Sequence, residues 1–120
     1  MKFEKIVPSV FYADIKDSYT LFVDCLDFKI VHDESDSSSP YYVIEKDDVE
    51  ILVFENKEIA ENDKPLFRMV TKNIEEVFTK ISSSHPELLH PNLNTISLRP
   101  WGAKEFAIKD NQVGFVFQEW

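Results

Sequence analysis

The 120-residue chain carries 22 acidic against 13 basic side chains, a formal net charge of −9, with 43% hydrophobic residues and one cysteine. That length buries one core but not two independent ones, and the excess of acid repels nucleic acid and anionic lipid headgroups, so neither is expected as a partner. The lone Cys25 excludes an internal disulfide, and no apolar run approaches the roughly 20 residues of a membrane span.

Residues 5–13, KIVPSVFYA, are rich in β-branched and aromatic types and predict a strand. Pro8 and Asp14 interrupt the apolar run here, so no signal-peptide core forms, and a cytoplasmic protein is expected. Asp14 is a helix N-cap, and Tyr19, Phe22, Val23 and Leu26 follow at helical spacing. DFKIVHDE predicts a second strand and SDSSSP a polar turn. YYVIEK and VEILVFE are two further strands, joined tightly through Asp47 and Asp48. NKEIAENDKP reads as a solvated connector.

The pattern then restarts. LFRMVT is a strand, and Asn73 is a cap with Glu76 three residues on, as in a capping box. Ile74, Val77, Phe78 and Ile81 form a second helical stripe. SSSHPELLHPNLN is a break bounded by prolines, with a short strand or turn near Leu88 and Leu89. TISLRP, KEFAIK and VGFVFQEW close the chain as strands. Asn73 follows Asp14 by 59 positions, close to half the chain, so that Ile15 matches Ile74, Tyr19 matches Phe78 and Phe22 matches Ile81. The expectation is an α+β fold of two tandem βαβββ modules, residues 1–56 and 65–120, forming a curved mixed β-sheet with flanking helices in one 120-residue domain.

Two stretches carry a family resemblance. In YADIKDSYTLFVDCLDF, Asp14, Ser18, Leu21, Phe22, Leu26 and Phe28 resemble the first strand-helix unit of the vicinal oxygen chelate superfamily, with Asp27 standing where the family has glycine. Aspartate tolerates a left-handed helix end, so the exchange is physically allowed. RPWGAKEFAIKD resembles the Trp-Gly hairpin of bleomycin-resistance-type members, with Gly102 giving the sharp turn into the seventh strand; DNQVG replaces a longer family turn. The superfamily includes glyoxalase I, bleomycin resistance proteins, fosfomycin-modifying enzymes and extradiol dioxygenases. The resemblance implies the glyoxalase/bleomycin resistance fold over almost the whole chain, and a homodimer.

It also implies where a divalent metal would be held in the enzymes. Those positions fall here on Val7, Leu52, Leu66 and Phe115, all apolar, whereas such an ion needs imidazole or carboxylate ligands. A register slip offers Glu50 or Glu119 but no histidine. His32, His85 and His90 fall at spacings that put no two on one helix or strand face. No metal ligand, cofactor or catalytic residue is therefore assigned. Cys25 reads as a buried structural thiol, and Glu50 as a base would need burial to raise its pKa.

Two functions are carried forward, beside a third in which the domain serves association only. The first is a metal-free protein that binds an apolar or cationic small molecule and sequesters a cationic aromatic compound or antibiotic. Trp101, Phe54, Tyr42 and Phe117 would supply aromatic surface, and Glu50 and Glu105 the acid. Glu50 and Phe54 share a strand face, whereas Glu105 and Phe106 point opposite ways. The second is a divalent-metal-dependent lyase, dioxygenase or thiol transferase with non-standard ligands.

Overall fold

The computed structural model describes residues 1–120, which divide into two compact units, Met1–Asp63 and Lys64–Trp120. In the first, strands β1 (Ser9–Tyr12), β2 (Lys29–Glu34), β3 (Tyr41–Lys46) and β4 (Val49–Glu55) form a sheet in the order β1-β4-β3-β2. The second repeats it with β5 (Leu66–Val70), β6 (Ser97–Leu98), β7 (Lys104–Lys109) and β8 (Gly114–Glu119) in the order β5-β8-β7-β6. In each sheet the first strand runs parallel to the last, and the other pairings are antiparallel. A helical segment follows the first strand of each unit, so both are βαβββ modules and the half-chain repeat is a structural one.

The two helical segments differ. In the first unit a 3₁₀ turn (Ile15–Ser18) runs into a short π-helix (Thr20–Cys25). Asp14 caps it as expected, accepting the Lys16 N–H at 3.0 Å. Ile15, Ser18, Leu21, Phe22, Cys25 and Leu26 are buried, whereas Tyr19 and Val23 are only half-buried. Asp27 ends the segment in the left-handed region, at φ 59°. The Phe28 N–H bonds back to the Phe22 carbonyl at 2.9 Å, closing the last turn.

In the second unit the helix is regular, Ile74–Ser84, and buries Ile74 and Ile81. The capping-box expectation fails here: the Asn73 side chain caps nothing. Its place is taken by Glu119 from the last strand, whose Oε1 accepts the Ile74 N–H at 2.9 Å. A second correction concerns residues 56–65, expected as a connector. They contain a helix, Lys57–Asn62, which we label α1; the helix Ile74–Ser84 is then α2. Asn56 caps α1 by accepting the Ile59 N–H at 3.0 Å, and Ala60 is its one buried residue. Its polarity hid it, because a helix held by one alanine leaves almost no apolar stripe to read.

Each sheet buries the face beneath its helical segment, and in the second unit the opposite face is buried too along β7 and β8, at Glu105, Ala107, Val116 and Gln118. In the first unit the helix-covered face carries Val10, Tyr12, Tyr42, Ile44, Ile51 and Val53. In the second, Phe106 stacks on Phe117 at 5.1 Å between ring centroids and meets Phe78 of α2 edge-on, also at 5.1 Å. No helix is long and apolar enough to cross a membrane.

Candidate functional site

Strand parity divides the six candidate binding residues. Tyr42 points into the helix-covered core, fully buried, where its hydroxyl is hydrogen-bonded to the Ser18 hydroxyl and its ring stacks on Tyr19. Burial pushes its phenol well above the ordinary value, so it stays neutral. Phe117 is likewise a core residue, 4% exposed and facing α2 through Phe106. Neither lines an open surface: Tyr42 has the inward parity of an amphipathic strand, and Phe117 belongs to a strand buried on both faces.

Phe54 and Glu50 lie on the other face of β4, with Leu52 between them and the buried Ile51 and Val53 pointing away. The pairing register sets Phe54 directly beside Phe11 on β1 and Tyr41 on β3. Their rings stack, Phe11 on Phe54 at 5.4 Å and Tyr41 on Phe54 at 5.8 Å. His32 on β2 continues the row, 5.7 Å from the Tyr41 ring, with its Nε2 3.3 Å from the Tyr41 hydroxyl. One aromatic tier thus crosses all four strands. Phe11, Tyr41 and Phe54 are each half-buried. At the far end of the same face Glu50 stands opposite Glu45 and pairs with Lys5 at 3.3 Å. An exposed ion pair of this kind contributes about 0–1 kcal/mol and is readily exchanged for another cation.

The second unit builds a different corner. Gly102, at φ 98°, closes a turn in which its N–H bonds to the Arg99 carbonyl at 2.9 Å. That turn presents Trp101 with 48% of its surface exposed. The indole N–H donates to Glu105 Oε2 at 2.8 Å, and the Gln118 side-chain amide donates to the same oxygen at 2.6 Å. Glu105 itself is 1% exposed. Glu105 and Gln118 are register partners on the sheet face opposite Phe106 and Phe117. The Arg99 guanidinium lies over the Trp101 ring, 5.0 Å from its centroid, with its Nε 4.0 Å from Glu105 Oε1.

Phe11, Tyr41, Arg99 and Gln118 were not singled out from the sequence. Phe11 and Tyr41 are legible only once the cross-strand register is known. Arg99 could have been found as the cation two residues before the loop tryptophan.

The positions that the resemblance gives for metal ligands do not fit an ion. Leu52 sits on the open face beside Ser9, Leu66 is a sheet-edge residue 57% exposed, and Phe115 is core. No group of three or more His, Cys, Asp or Glu side chains is arranged to hold a metal. His85 ends α2 with its Nδ1 at the Ser84 hydroxyl, and the Nδ1 of His90 accepts the Asn92 N–H. Both serve local turns.

Two mixed βαβββ sheets in this strand order recur in solved structures. A bleomycin-binding protein complexed with bleomycin matches with a TM-score of 0.74 at 15% identity, over 98% of this chain and 99% of the other. The bleomycin-binding protein of bleomycin-producing Streptomyces verticillus, complexed with copper(II)-bleomycin, matches with 0.74 at 14% identity, over 100% and 98%. A member of the glyoxalase/bleomycin resistance protein/dioxygenase superfamily from Sphaerobacter thermophilus matches with 0.72 at 15%, over 98% of both chains. No family model matches the sequence, and no curated protein matches it. The fold is the glyoxalase/bleomycin resistance fold, as the two quoted stretches implied.

Proposed function

We propose that this protein is a metal-independent cytoplasmic binder of a flat, cationic small molecule. The observation that carries the reading is the half-exposed tier Phe11–Phe54–Tyr41–His32 with Glu50 and Glu45 on the same sheet face. Aromatic faces attract a ligand ring by apolar burial, at about 25 cal/mol per Å². They also attract its positive charge, at about 0.5–2 kcal/mol per cation–π contact. The −9 net charge favours approach of a cation. Trp101 and Glu105 set an aromatic ring beside a carboxylate in the second unit as well. The fold is compatible with the role, since bleomycin-binding proteins share it.

The test is a fluorescence titration with ethidium, a cationic aromatic dye, on protein treated with a chelator. Saturable binding is expected, weakened about tenfold by Phe54→Ala while the fold is retained. Unsaturable binding, or binding that returns only with added metal, contradicts the reading.

A further inference from the structure

The Trp101–Glu105 corner already holds a cation: the chain's own Arg99. The guanidinium lies 5.0 Å from the centre of the Trp101 ring, the position a flat ligand cation would take. Its hold is poor. Glu105 Oε2 receives both the Trp101 and the Gln118 donors, whereas Oε1 faces Arg99 Nε at 4.0 Å, beyond hydrogen-bonding distance. That Nε is buried and makes no hydrogen bond. The carboxylate is 2% exposed, while 38% of the arginine side chain still reaches solvent, so the cation can swing out and the acid cannot. A buried carboxylate with an unfilled oxygen gains from any donor aimed at it, and a buried N–H without an acceptor gains by leaving.

We infer that Arg99 is a displaceable occupant of a cation-receiving corner, and that the ligand it stands in for is a planar amidinium or guanidinium group. Such a group stacks on Trp101 and donates to Glu105 Oε1, while Arg99 swings into water. The inference rests on the proposed binding of flat cations and adds the group recognised and the residue that guards it. A site blocked nine-tenths of the time by a tethered group binds its ligand about tenfold more weakly than the unblocked site.

The experiment uses benzamidine, a planar monocation, and follows the Trp101 indole N–H by proton NMR in a Trp120→Phe background. Arg99→Ala is expected to bind benzamidine about tenfold more tightly than the parent, with the Trp101 signal shifting on saturation. Arg99→Lys, which keeps the charge but loses the planar fork, is expected to fall between them and guards against misfolding of the alanine variant. Equal or weaker binding in both variants overturns the inference. Absence of benzamidine binding from all three proteins overturns it too. The ethidium titration on Phe54 stands or falls separately, so the two failures are distinguishable.

Discussion

Glu119 caps the helix that begins at Ile74: its carboxylate, at the end of β8, accepts the Ile74 N–H at 2.9 Å. The first unit does the same, with Glu55 at the end of β4 accepting the Ile15 N–H at 3.0 Å. The two modules thus share a tertiary cap as well as a strand order. In each, a carboxylate from the last strand satisfies an orphan amide and meets the positive end of the helical segment.

Loss of either cap should therefore destabilise its own module. Glu119→Ala and Glu55→Ala are each expected to cost about 0.5–2 kcal/mol in urea unfolding, and Glu→Gln less, since the amide oxygen still accepts. A Glu119→Ala protein as stable as the parent would show that the contact contributes nothing.

Much of this was legible from residue pattern. The Asp14–Asn73 repeat and the stripes at Phe22 and Ile81 gave both modules, because amphipathic periodicity reports which face is buried. Asp27 and Gly102 are left-handed as expected, and Asp47 in the tight β3–β4 turn is a third such position. What the sequence hides is long-range. Nothing local says that Glu119, 45 residues away, caps Ile74 in place of Asn73, or that Phe11 and Tyr41 flank Phe54. The candidate residues divided for the same reason: parity separates Phe54 from its buried neighbours Ile51 and Val53, but not the open face from the covered one. Tyr42 and Phe117 therefore read like binding aromatics and are core.

Alkaline pH should act through Tyr42. Its pKa is raised in the fold, chiefly by burial, so the folded state holds the phenolic proton more tightly than the unfolded chain does. The stability this contributes is fully present below the unfolded value near 10 and is lost as pH rises above it. Tyr42→Phe should lose about 1 kcal/mol at pH 7 with the Ser18 hydrogen bond, and show a shallower decline above pH 10. Identical slopes in parent and variant would contradict this.

Association is the third expectation. β5 is the edge of its sheet and exposes Leu66 and Val70, at 57% and 66%. Exposed apolar edges invite pairing, and closed two-fold dimers are the commonest oligomers. Sedimentation at tens of micromolar should give a species of about twice 14.0 kDa, reduced to monomer by Leu66→Lys. A monomer throughout that range would refute it.

Metal-independent binding of a flat cation is read out by a thermal-shift panel of cationic aromatic compounds on chelator-treated protein. A compound present at 100 times its Kd stabilises the folded state by about 2.7 kcal/mol. At about 4–8 °C per kcal/mol for a domain near this size, that is a rise of ten degrees or more in Tm. At least one member is expected to give such a rise, unchanged by adding zinc, nickel or manganese. A panel that leaves Tm unmoved, together with stoichiometric metal in the purified protein whose removal lowers Tm, would contradict it.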